Sequence, residues 1–199
     1  MEEIITKEKA KELMKIKGET RGASIKGDLE YIISKKGKDG LEKVEEEMAR
    51  LGYPIKYNEI RPMDFYPMGL EAISFSVIKK IFNFTDDKFR EMGEFNSKVS
   101  LIVRLFMKYF VSLELVAKQA PKFWREYYTK GDLKIAEINK EKRYLIIRID
   151  NFYHHPLHCL SIEGYLKTIV RIVVKGSVTC EETKCTYRGD DHHEFLVKW

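Results

Sequence analysis

Cysteine is scarce in this chain: Cys159, Cys180 and Cys185 are the only ones among 199 residues. An odd, sparse set does not build the disulfide framework of a small secreted domain, so a reducing, cytoplasmic setting is expected. Long apolar runs are also missing. The best candidates, residues 100–111 and 169–174, are broken by Arg104, Lys108 and Arg171, and neither approaches the roughly 20 residues of a spanning helix. Residues 1–17 are charged and helical in pattern, without the apolar stretch of a signal peptide. Positive charge is not concentrated either. The excess of +5 is spread along the chain rather than gathered into the stripe of a nucleic-acid binder, so no nucleic-acid partner and no membrane insertion are expected. Gly18, Gly22 and Gly27 are not followed by the Gly-Lys-Ser/Thr of a phosphate loop, and no dinucleotide fingerprint occurs. No internal repeat is visible.

What is present describes a folded globule. The apolar fraction of 44% supports a core, and a chain of this length needs no metal or disulfide merely to hold one. The expected organisation is an N-terminal helix over 1–17 and a single domain over 18–199. Thr6 caps a helix over 6–16, with Ala10, Leu13 and Met14 as its apolar positions. Helical spacing continues over 25–34, 41–51, 68–82, 86–95 and 98–110. The segment 112–128 contains Pro121 and predicts either a kink or two helices meeting at Ala120. Beyond Gly131 the pattern changes to strand over 133–138 and 144–149, helix over 157–170, and strand over 172–179 and 194–197. The fold class is therefore α/β (α+β): N-terminal helices packed on a small antiparallel sheet, with a late helix between hairpins.

Two groups of residues have chemical potential. His154, His155, His158 and Cys159 lie before or at the start of the last helix; Cys180, Cys185, His192 and His193 lie on the final hairpin. If helix and hairpin pack together, Cys159, Cys185 and His193 converge, with Cys180 or Glu182 as a fourth ligand, and zinc accepts that set. The plainer alternative makes Cys159 and Cys185 small buried hydrophobes and the histidine pairs solvated loop residues. The second group is aromatic. Such residues at helical spacing usually fill cores, but helices over a small sheet also leave apolar pockets. Phe75, Phe106, Tyr109 and Trp124 are the residues expected to line one. No catalytic set is expected: Cys159 beside His158 is adjacent in sequence, which seldom brings the two side chains face to face.

Several short words point to a family. Phe65-Tyr66-Pro67 precedes a helix, 123–131 reads Phe-Trp-Arg-Glu-Tyr-Tyr-Thr-Lys-Gly before a strand, Glu163-Gly164 sits in the last helix, and Phe195-Leu196-Val197-Lys198-Trp199 closes the chain. In order and spacing the chain, from about Gly18 onward, resembles the ligand-binding superfamily of four-vinyl-reductase domains, haem–nitric oxide (H-NOX) sensors and TRAPP transport subunits. Within it the chain looks most like an uncharacterised branch abundant in myxobacteria. The four-vinyl-reductase pattern implies a metal set: Cys159-x3-Glu163-Gly164 and Glu182-x2-Cys185-x3-Gly189 fit it, while His193 stands where the last Cys would be. The H-NOX branch clamps its cofactor with a Tyr-x-Ser-x-Arg motif. Tyr144-Leu145-Ile146-Ile147-Arg148 lacks the Ser, so haem is not expected. The implied role is a small-molecule sensor with an apolar ligand and a homodimeric or other protein partner. The rival readings are a tetrapyrrole-related reductase and a TRAPP-like interaction module.

Overall fold

The computed structural model describes residues 5–109 and 111–199, without the side chains of Leu101, Phe106 and Met107. Two layers share one long helix. The first layer is helical: α1 (Lys7–Leu13), α2 (Gly22–Arg50), α3 (Met68–Phe82) and α4 (Asp86–Val99). The second combines α5 (Leu101–Phe106) and α6 (Leu113–Tyr127) with the strands β3 (Asp132–Asn139), β4 (Tyr144–Asp150), β5 (Thr179–Lys184) and β6 (His193–Lys198). α7 (Pro156–Val174) runs between the hairpins β3–β4 and β5–β6 and joins the two layers. The four strands form an antiparallel sheet in the order β3-β4-β6-β5. This is the α+β arrangement expected, late helix included. Among the described residues no helix is long and apolar enough to cross a membrane.

Alternation sets the face of the sheet. Leu145, Ile147 and Ile149 of β4 and Phe195 and Val197 of β6 are buried on one side, as a period of two residues requires. They pack with Trp124, Tyr127, Ile162 and Val170 into one core, while Ile25, Leu29, Ile32, Phe75 and Phe89 belong to the helical core. A small second sheet, β1 (Glu19–Arg21) with β2 (Phe65–Pro67), ties the two together. Its Thr20 also bridges Tyr128 at the end of α6.

At four places the structure refines the sequence pattern. The helices expected over 25–34 and 41–51 form one element broken at Gly37, whose φ of 70° is left-handed. α6 stays one helix through Pro121. The segment expected as one helix over 98–110 is divided at Ser100, where the backbone is extended and α5 begins. The strand expected from residue 172 starts only at Thr179, because α7 continues to Val174 and ends at a left-handed Lys175. There a β-branched run follows burial on the helix rather than its intrinsic strand preference.

α4 and α7 approach at backbone distance. A Cβ on Gly93 would stand 1.8 Å from the Ser161 carbonyl oxygen, and one on Gly164 would stand 1.9 Å from that of Arg90. Beside this crossing, the Glu163 carboxylate accepts from Arg90 Nε at 2.6 Å and from the Glu182 amide at 2.7 Å. The last helix is thereby fixed to both α4 and β5.

Candidate functional site

Between α6, α7 and the inner face of the sheet lies a cavity of about 110 Å³. Its walls are mostly apolar: Val116, Ala120 and Phe123 from α6, Leu133, Ile135, Leu145 and Ile147 from the strands, and Ile162, Leu166 and Ile169 from α7. Of the aromatics expected around a pocket, Phe75, Tyr109 and Trp124 line this one; the Phe106 side chain lies outside the described residues. Trp124 is a fixed wall. Its ring lies against Tyr128 and Phe152, at 4.5 and 4.8 Å, and its Nε1 donates to the Lys130 carbonyl at 2.9 Å.

Two sets of polar groups meet the cavity. Tyr165 donates to Tyr127 at 3.0 Å, and Tyr127 in turn bonds Ser100. Burial raises both phenols, Tyr127 to about 12, so they stay neutral hydroxyls. At the other end Tyr128 and His158 Nε2 are 2.8 Å apart. Behind them His154 Nε2 meets Glu71 at 2.8 Å, and Ser24 donates to Glu71 at 2.5 Å. His155 acts differently. Its Nδ1 accepts from the Leu157 amide and caps α7, leaving Nε2 to bond Ser76. The motif reading of the sequence passes over both Glu71 and Asp28. A signal exists, since Glu71 shares the stripe of Phe75 and Ile78, and Asp28 lies among Ile25, Leu29 and Ile32. An acid on an apolar helix stripe is buried with the stripe.

A second cluster forms where the final hairpin meets α7. Donor atoms of Cys159, Glu182, Cys185 and His193 all lie within 4.8 Å of one another. His154, His158, His192 and His193 are buried, so they are not the solvated loop residues of the plainer alternative. Cys180 stands apart from the group. It lies on the same face of β5 as Glu182 but two residues, about 7 Å, along the strand, and Glu182 takes the fourth place. His193 Nε2 is 3.0 Å from the Phe152 carbonyl and 2.9 Å from the Thr186 hydroxyl. Its Nδ1 lies 2.8 Å from Glu182 Oε1 and 3.7 Å from Cys159 Sγ. The contact with the carboxylate is favourable with either a proton on Nδ1 or a cation between the two. Burial raises the Cys159 thiol, with the Glu182 carboxylate adding to the shift, and burial also raises Cys185.

No protein-family model matches the chain, and no curated protein matches it. Solved structures do. An H-NOX protein from S. oneidensis in an Fe(II)NO ligation state superposes with a TM-score of 0.66 at 12% identity, covering 89% of this chain and 98% of that one. A structure described under haem redox potential and protein-induced porphyrin distortion gives 0.63 at 13%, covering 90% and 99%. An unliganded Fe(II) H-NOX variant from K. algicida gives 0.63 at 14%, covering 89% and 95%.

These neighbours correct one expectation. The missing Ser of the Tyr144–Arg148 segment argues against haem, yet haem and iron are named for proteins of this same architecture. Haem therefore stands among the groups to be tested. His158 is the histidine that lines the cavity, and its Nε2 is paired with Tyr128. The rest of the site fits less well. Arg148 lies on the outer face of the sheet, paired with Asp150, and a cavity of about 110 Å³ is too small for a macrocycle as it stands. Nothing in these neighbours bears on zinc. Likeness at such identity establishes architecture alone: this chain has the H-NOX fold.

Proposed function

We propose that the domain is a small-molecule sensor whose cavity takes an apolar molecule of about one ring and whose Cys159–Glu182–Cys185–His193 cluster holds a divalent transition metal. The observation that carries this reading is the cavity itself. Close-packed interiors leave few voids larger than a water molecule, and an apolar cavity near 150 Å³ stays dry and takes benzene. At about 110 Å³ this one is of the same order. The hydroxyls of Tyr127 and Tyr165 and the Tyr128–His158 pair give a guest fixed polar points, the usual composition of a binding site.

The metal cluster supports the reading by position. His193 is held by the Phe152 carbonyl, and Cys159 follows the cavity-lining His158. The Tyr187 hydroxyl of the hairpin accepts from the His154 amide at 2.9 Å. A cation in the cluster fastens the last hairpin to the helix that walls the cavity. The order of Cys159, Glu182 and Cys185 favours the four-vinyl-reductase-like branch, and the closing words favour the myxobacterial one. On this reading residues 18–199 are the ligand-binding unit, residues 1–17 an added helix, and the setting cytoplasmic. Occupancy is reported to a protein partner or a second copy.

The test is calorimetric titration of the full chain with benzene, toluene, phenol and indole, beside Ala120→Phe, which places a ring inside the cavity. The expected result is saturable binding of at least one of these by the native chain and at least tenfold weaker binding by the variant. Equal affinity in both, or no binding of any, contradicts the reading. Binding of haem with a histidine-ligated spectrum that is lost in His158→Ala would replace the small guest by the macrocycle.

A further inference from the structure

We propose that Glu71, His154 and His158 form a second site for a divalent first-row transition metal, separate from the thiolate cluster and bordering the cavity. The three come from α3, from the residues before α7 and from its first turn, and their donor atoms lie within 4.8 Å of one another. All three are buried. The two imidazole rings are stacked 4.1 Å apart, and one must turn about its side-chain torsions for both to direct a lone pair at one ion.

Two further observations point to a ligand here. The Nδ1 atoms of His154 and His158 are buried and have no hydrogen-bond partner among the described residues. Buried polar atoms rarely go unpaired, and each one that does needs an explanation. The second observation is the charge balance. Asp28 is buried close enough to Glu71 for the two carboxyls to repel. Glu71 meets Ser24 at 2.5 Å and His154 Nε2 at 2.8 Å, the Asn96 amide donates to Asp28 at 2.7 Å, and the other Asp28 oxygen has no partner among the described residues. Among the described residues neither carboxylate is paired with a lysine or arginine. A carboxylate ionised in this setting is costly without a cation beside it, and a dication against Glu71 supplies one.

The donor set selects the ion. Two imidazoles and one carboxylate occupy one face of a metal and leave its other positions open, the arrangement typical of non-haem iron(II). Tyr128 and His158 both line the cavity. An open position on that side accepts an oxygen or nitrogen atom of a cavity guest, so the class of ligand is a small molecule carrying such a donor.

Cobalt(II) titration of the metal-free full chain, followed by visible absorption, separates the two sites. Cobalt on the thiolate cluster gives intense thiolate-to-metal charge transfer, whereas cobalt on Glu71, His154 and His158 gives only weak d–d bands. The native chain should bind two equivalents. Cys185→Ser should lose the charge-transfer band and keep one equivalent. Glu71→Gln and His154→Gln should each keep that band, which also reports an intact fold, and fall from two equivalents to one. An unchanged count in both variants overturns the second site. So does a native chain that binds one equivalent showing charge transfer, a result that decides the matter even where both variants misfold. One equivalent without charge transfer, lost in His154→Gln, upholds this site and rejects the thiolate one.

Discussion

Gly164→Ala should lower the thermal midpoint by roughly 6–12 °C, the consequence of about 3 kcal/mol of lost stability. The added methyl carbon would sit 1.9 Å from the Arg90 carbonyl oxygen. That atom is backbone inside a helix, so no rotamer change relieves the clash; α4 and α7 must separate along the crossing. Separation also stretches Arg90–Glu163 and with it the bond from Glu163 to the Glu182 amide. Gly93→Ala, at 1.8 Å from Ser161, should cost as much. Gly176→Ala is the control. It meets nothing nearer than 3.8 Å, and a substitution in open space stays within about 0.5 kcal/mol. Differential scanning calorimetry of the three variants checks the set. A Gly164→Ala midpoint within 2 °C of the native one, roughly 1 kcal/mol or less, would mean that the helices do not touch there.

Chelation of the metal from Cys159, Glu182, Cys185 and His193 is the second large effect. An ion at a thousand times its dissociation constant stabilises the folded state by about 4 kcal/mol, so its removal should lower the midpoint by roughly 8–16 °C. Cys185→Ser should begin near the chelated midpoint and respond little to chelator. Cys180→Ser should begin near the native midpoint and respond fully, because Cys180 lies outside the cluster. A native midpoint indifferent to chelator would remove the cation from the account and leave the cluster as buried thiols beside the Glu182–His193 pair.

These two effects also mark what the chain makes legible. Glu163-Gly164 stands out as a word, but its reason is a close approach to Arg90, 74 positions away, that no local pattern contains. Helix α3 is legible to its ends because its apolar stripe and flanking turns are local. The cysteine and histidine cluster is legible as residue types. The choice of Glu182 over Cys180 is not, since both occupy the same face of β5 and only the pairing of the hairpin with α7 decides between them. Strands β1 and β2 escape the sequence pattern for a related reason: each has three residues, and what holds them is the pairing of Thr20 with Tyr66 and Tyr128. Glu71 and Asp28 escape it because acids ordinarily face solvent, although their helical phase places them inward.

The proposed function depends on a hollow between α6, α7 and the sheet that admits a guest. Xenon tests that hollow without knowledge of the guest, since it enters dry apolar cavities of this kind. In crystals pressurised with xenon, an ordered atom should appear among Phe123, Ile147, Ile162 and Leu166, the apolar walls of the cavity, and should vanish in Ala120→Phe. Absence of xenon from the native chain, with those side chains closed against one another, would contradict the account.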